Sequence, residues 1–143
     1  MNRIQGNAMS TAISDTSEVL VECRNVWKIF GARATAAVKA VSERGLSKRQ
    51  VLQDFDCVVG VSDASLKVHR GEIFCIMGLS GSGKSTLIRL LNRLIEPSLG
   101  TITVKGRDIA KLNAAELRDM RARNIGMVFQ SVALLPHRTV LEN

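Results

Sequence analysis

Aromatic side chains are scarce in this chain of 143 residues: four phenylalanines, one tryptophan and no tyrosine, 3% in all. Any core must therefore be mostly aliphatic, and the 45% apolar content is enough to build one. The length fits one domain on the usual span of roughly 100–200 residues. Cysteine occurs three times, at Cys23, Cys57 and Cys75. An odd number without CxxC or metal-type spacing excludes a disulfide framework, and the three read as buried or incidental thiols in a reducing compartment. No apolar stretch approaches the roughly 18 residues of a membrane-spanning helix. The N-terminal "MNRIQGNAMSTAISDTSE" has no apolar segment of the kind a secretory signal needs. Residues 1–17, small and polar, read as a disordered tail. Basic residues never run to five in succession, which argues against a nucleic-acid-binding tail. Yet the net charge is +7, which points to a polyanionic partner: nucleotide, nucleic acid or anionic lipid headgroups.

Along the chain, "EVLVEC" (residues 18–23) is β-rich, and "WKIFG" follows it to Gly31. Residues 32–54 read as a helical insert. "TAAVKAVSERG" carries Ala and Val at helical spacing and stops at Gly45. Ser47 with Gln50 has the form of a capping box for a second short helix. "VVGVSDASLKV" returns to strand alternation, and Arg70-Gly71 turns the chain into "EIFCIM" (72–77). That apolar run predicts a strand buried on both faces of a parallel sheet. Beyond it, Leu87, Leu90, Leu91, Leu94 and Ile95 mark one face of a helix that Pro97 ends, with Arg89, Asn92 and Arg93 off that face. "GTITVKG" predicts a short strand, Asn113 with Glu116 caps a further helix, and "IGMVFQ" (125–130) predicts another apolar strand. His69 and His137 have no evident partner and read as surface or packing residues.

Between the run at 72–77 and the leucine-faced helix lies "GLSGSGKST", Gly78 to Thr86. Gly78, four residues, then Gly83-Lys84-Ser85 is the phosphate-binding pattern GxxxxGK[ST], and it stands in the strand–loop–helix setting that the pattern requires. Glycines let the backbone curl so that successive N–H groups face phosphate oxygens. The helix start adds roughly half an elementary positive charge. Lys84 supplies a full charge to the β- and γ-phosphates, Ser85 offers its hydroxyl to Mg²⁺, and Thr86 reaches the α-phosphate. Gly78, Ser80, Gly81, Ser82, Gly83, Lys84, Ser85 and Thr86 are the candidate nucleotide-binding residues. A dinucleotide GxGxxG is excluded, because Lys84, Ser85 and Thr86 follow Gly81-Ser82-Gly83 with no third glycine in place.

The stretch "GEIFCIMGLSGSGKSTLIRLLNRLIEPSLGTITVKGRDI", followed by "MVFQSVALLPHRTVLEN", resembles the ATP-binding subunit of an ABC transporter. Over residues 19–143 it is most similar to the subunits of importers for glycine betaine, proline and other quaternary amines. "NRLIEPS", "ALLPHRTVLEN" and the helical insert carry that finer likeness. The resemblance implies an α/β P-loop NTPase fold, an ABC nucleotide-binding domain present in part, with an N-terminal antiparallel β portion. ATP and Mg²⁺ are the implied cofactors. It implies that Phe30 stacks on adenine, against the alternative of a core phenylalanine, with Trp27 as core or support. It implies that Gln130 is the glutamine of the Q-loop, an amide that can ligate Mg²⁺ and orient a water while its loop senses the neighbouring membrane subunit; the alternative is an ordinary polar strand end. Ala133, Leu134, Leu135, Pro136 and His137 then lie where transmembrane permease subunits dock, although an apolar "VALLP" covered by more of the same domain would look the same.

Further implied partners are a second ATP-binding subunit in a homodimer and, indirectly, a periplasmic substrate-binding protein. Nucleic acid is not among them. The implied location is peripheral, on the cytoplasmic face of the inner membrane. No LSGGQ signature and no apolar strand ending in Asp-Glu occurs in the 143 residues, so this stretch carries the phosphate cradle without the catalytic carboxylate and the second charge clamp that hydrolysis needs. Two expectations follow: part of a larger transport ATPase, or a nucleotide- or membrane-partner-binding chain without turnover. An in-frame downstream LSGGQ would decide for the first. Another ABC importer class stays open as an alternative substrate family. A DNA-handling P-loop ATPase is weaker, because "MVFQSVALLPH" has no role in it.

Overall fold

The computed structural model describes residues 18–129, 135 and 137–142, in two compact units that meet at Leu112/Asn113. The expected tail at 1–17 lies outside the described residues. The first unit is built on a four-stranded antiparallel sheet in the order β2-β1-β3-β4, with β1 Val19–Phe30, β2 Val58–His69, β3 Leu99–Val104 and β4 Arg107–Asp108. β1 pairs with β2 from Val19↔His69 to Phe30↔Val58, and with β3 from Val21↔Val104 to Trp27↔Leu99.

Strict alternation fails inside β1, where Cys23, Val26 and Ile29 are all buried at a spacing of three. A bulge explains it. The register slips between Cys23 and Val26 against β2 and between Arg24 and Trp27 against β3, and Asn25 takes φ 47°. An extra residue in one strand turns the following side chains to the other face. Asn25 is held in place by its N–H to Ser65 Oγ and its Nδ2 to Asp63 Oδ1, each at 2.9 Å. On the sheet's surface Glu22 lies opposite Lys67 and accepts a 2.9 Å bond from Arg24. The Arg24 bond, helped by the charge of Lys67, holds the Glu22 carboxyl below its ordinary value.

The insert between β1 and β2 folds as two helices, as its sequence predicts. Helix α1 is Ala34–Arg44 and ends at Gly45, whose N–H bonds Val41 O. Helix α2 is Lys48–Phe55, and Ser47 with Gln50 forms a complete capping box. Ala37, Val41 and Val51 close with Ile29 and Cys57 into a small aliphatic core, with Trp27 packed against it. Arg33 Nε bonds Phe55 O at 3.0 Å and ties the two ends of the insert together.

Four expectations are corrected. Residues 72–77 form no strand among the described residues. Ile73 and Met77 are 92% and 85% exposed and Cys75 is exposed too, while Glu72, Phe74 and Ile76 are half-buried. The alternation of an extended segment is present, but a parallel ladder needs a neighbour, and the described residues supply none beside it. Residues 125–129 are irregular for the same reason, with Val128 97% exposed. The leucine-faced helix, α3, is Lys84–Leu91 and stops well before Pro97. Arg93 takes φ 54° there, and its Nη1 bonds Ile109 O and Leu112 O at 2.9 and 2.7 Å. That anchorage turns the chain out of the helix, so Leu94 is exposed and Asn92 is buried. His69, for which no partner was expected, has one: Glu72 Oε2 lies 3.3 Å from its Nδ1 and accepts its backbone N–H at 2.7 Å.

The second unit contains α4, Ala114–Asn124, opened by the expected capping box of Asn113 and Glu116. Near its end, Thr139 donates from both N and Oγ1 to Glu142, which keeps that carboxyl below its ordinary value. Among the described residues no helix is long and apolar enough to cross a membrane.

Candidate functional site

Leu87 and Leu90 are buried on the inner face of α3, which packs against β1 and β2. This burial fixes the start of the helix, and the glycine loop is drawn to the sheet with it. Gly83 is the residue before the first helical turn, at φ 94°. Its α-carbon lies so close to Gly60 O of β2 that a β-carbon would collide with it. The pattern's second glycine is therefore required twice, by conformation and by close approach.

The loop is braced from inside. Lys84 Nζ donates to Gly78 O at 2.8 Å and to Leu79 O at 2.7 Å, and lies 3.4 Å from Ser82 Oγ. Ser82 N–H bonds Leu79 O at 3.2 Å. The lysine so links the first residues of the loop to the helix start, with its ammonium group held at the mouth. The amides of Lys84, Ser85 and Thr86 open the helix and, as first-turn donors, have no carbonyl one turn before them. Leu87 N–H is the first to close back, onto Gly83 O at 2.8 Å. Three backbone donors, a helix start and one ammonium converge on one place, an arrangement suited to anionic oxygens.

A cleft of about 300 Å³ opens beside it, lined by Phe30, Val58, Val59, Gly60 and residues 81–86. Phe30, at the end of β1, is 39% exposed and forms one wall. Lys28 Nζ stands 5.1 Å from the centre of its ring. The structure thus brings together Phe30 and the run from Gly81 to Thr86, which lie about fifty residues apart in sequence. Gly78 and Ser80 belong to the same loop outside the cleft lining. Gln130, Ala133, Leu134 and Pro136 lie outside the described residues. Leu135 and His137, in the second unit, are exposed. Among the described residues no cluster of His, Cys, Asp or Glu could hold a metal ion; of the two expected Mg²⁺ ligands, Ser85 lines the cleft and Gln130 lies outside the described residues.

Sequence reasoning missed Val58, Val59, Gly60 and Lys28. Nothing in "VVG" marks it as a cleft wall. The pairing Phe30↔Val58 places it there.

The family described as ABC transporter matches residues 61–143. The chain belongs to that family. It is 56% identical over 125 residues to the glycine betaine/proline betaine transport system ATP-binding protein ProV of Salmonella typhimurium, an alignment covering 87% of this chain and 31% of that protein. It is 47% identical over 129 residues to the glycine betaine transport ATP-binding protein OpuAA of Bacillus subtilis, covering 90% and 31%. The chain thus spans about a third of the length of these curated relatives. Among solved structures it is similar to an ATP-binding cassette captured as a dimer in a post-hydrolysis state, bound to ADP and Pi. That likeness has a TM-score of 0.66 at 28% identity, over 86% of this chain and 44% of the other. The fold is accordingly the α/β P-loop NTPase fold of an ABC ATP-binding domain, present in part, with its antiparallel β portion and a helical insert.

Proposed function

We propose that this ABC family chain is the nucleotide-binding part of an ATP-binding subunit that energises import of glycine betaine- and proline-type osmolytes. The observation that carries the nucleotide reading is the lysine-braced loop at the start of α3, which shares one cleft with the exposed ring of Phe30. The importer reading rests on the relatives, whose names specify betaine transport.

In this reading the amides from Gly81 to Thr86 receive the phosphate chain, and Lys84 turns from the loop carbonyls toward the β- and γ-oxygens. Gly78, Ser80 and Ser82 hold the loop's curvature. The Ser85 hydroxyl is the ligand this loop offers to Mg²⁺, and Gln130 adds an amide oxygen for Mg²⁺ and for the attacking water. Bound Mg²⁺ would neutralise phosphate charge. Phe30 offers a flat apolar face to adenine and keeps water from it. Residues 133–137 are the docking patch for the transmembrane permease subunits. A second ATP-binding subunit completes a dimer, and a periplasmic binding protein delivers the osmolyte. The subunit works at the cytoplasmic face of the inner membrane.

The test is thermal. Ligand at 100 times its dissociation constant stabilises a binding-competent chain by about 2.7 kcal/mol, so Mg-ATP raises the melting temperature. Lys84→Ala removes that rise. Equal rises with and without Lys84 would overturn the phosphate-cradle reading.

A further inference from the structure

Gly60 sits where the pairing of β1 with β2 slips: Ile29 faces Val59 and Lys28 faces Val61, which leaves Gly60 as the extra residue of β2. Three parts of the cleft converge on it. Its carbonyl oxygen meets Gly83 at the phosphate loop. Its α-carbon is covered by the ring of Phe30, so that a β-carbon added there would lie 2.6 Å from Cε2 and 3.2 Å from Cδ2. The same β-carbon would lie 3.5 Å from the Thr86 methyl group, an ordinary contact. We propose that Gly60 is a positioning residue for the nucleobase: its missing side chain lets the Phe30 ring lie low over β2, at the height that a base needs when its triphosphate is seated in the loop at 81–86. This rests on the nucleotide reading above and deepens it.

The physical reason is distance. Carbon atoms pack at roughly 3.5–4.0 Å, so a β-carbon at Gly60 must push the ring edge outward by about 1 Å. Lys28 Nζ also stands over this ring, 5.1 Å from its centre. The main chain does not oppose the substitution, because Gly60 is absent from the positive-φ glycines. Alanine there moves the ring and leaves the strand intact. The phosphate loop keeps its geometry, since its Thr86 methyl would meet the added carbon only at an ordinary contact distance of 3.5 Å.

The experiment measures binding of ATP and of inorganic tripolyphosphate, each with Mg²⁺, to the full chain and to Gly60→Ala, Phe30→Leu and the double variant. Stacking of a base on an aromatic ring contributes about 5- to 150-fold in affinity. Gly60→Ala is expected to weaken ATP binding about fivefold, near the lower end of that range, with tripolyphosphate binding unchanged. With Phe30 replaced by Leu, adding Gly60→Ala should cost nothing more, because the two act as one unit. Equal loss of both ligands would make Gly60 a prop for the phosphate loop and overturn the proposal, as would no loss of either. A parent chain that binds tripolyphosphate as tightly as ATP has no base shelf, which overturns this proposal and leaves the phosphate cradle standing. A parent chain that binds neither overturns the nucleotide reading itself.

Discussion

At the scale of single residues, the three cysteines separate cleanly. Cys23 and Cys57 are buried and Cys75 is exposed. Burial, with the charge of Glu22 beside it, pushes the Cys23 thiol up from 9.0 to about 12. The folded chain therefore keeps a proton that the unfolded chain loses. The stability this contributes is complete below pH 9.0 and is lost as pH rises toward about 12. Urea unfolding followed from pH 8 upward should show stability falling over this window, and Cys23→Ala should flatten that fall. An unchanged slope would mean that the thiol titrates freely in the folded state. Lys84 shows another side of residue-scale chemistry, because its ammonium group donates to two carbonyls of its own loop.

Among the elements, the insert is the part whose local chemistry and final form agree most closely. Helix α2 has only eight residues and buries one of them, Val51. A helix so short is marginal by itself, so its capping box matters. Ser47 Oγ accepts from Gln50 N–H at 3.3 Å, while Gln50 Oε1 accepts from Ser47 N–H at 2.9 Å. Ser47→Ala should lower stability by about 1 kcal/mol, read as a shift of the urea midpoint with little change in slope. Helix α3 shows the opposite case. Its leucine pattern continues past Leu91, but Arg93 finds two carbonyls outside the helix and the chain follows it. A side chain bonded to the 3-10 turn at Ile109–Lys111 outweighs one more helical turn.

For the whole molecule, the apolar surface left open decides behaviour in solution. Ile73, Met77 and Leu79 are 92%, 85% and 85% exposed in the first unit. In the second, Val128, Val140 and Leu141 are at least 91% exposed. Monomers seldom leave so many large apolar side chains in water, and extended segments without ladder partners invite pairing with other chains. The isolated chain should therefore self-associate and unfold with weak cooperativity. Light scattering during a thermal melt checks this, and a sharp, reversible transition of a monomer would count against it.

The glycine loop, both capping boxes, the turn at Arg70-Gly71 and the two-helix insert were legible in the residues alone. Each is governed by neighbours within a few positions: a φ that only glycine tolerates, a hydroxyl three residues before a glutamine. The extended run at 72–77 was legible as a pattern but not as a strand, because a ladder depends on what lies beside it and not on its own side chains. The bulge at Asn25, the early end of α3 and the meeting of Phe30, Gly60 and Gly83 were decided only by the tertiary structure. Strand register and packing distance set them, and both join residues tens of positions apart, beyond the reach of any local rule.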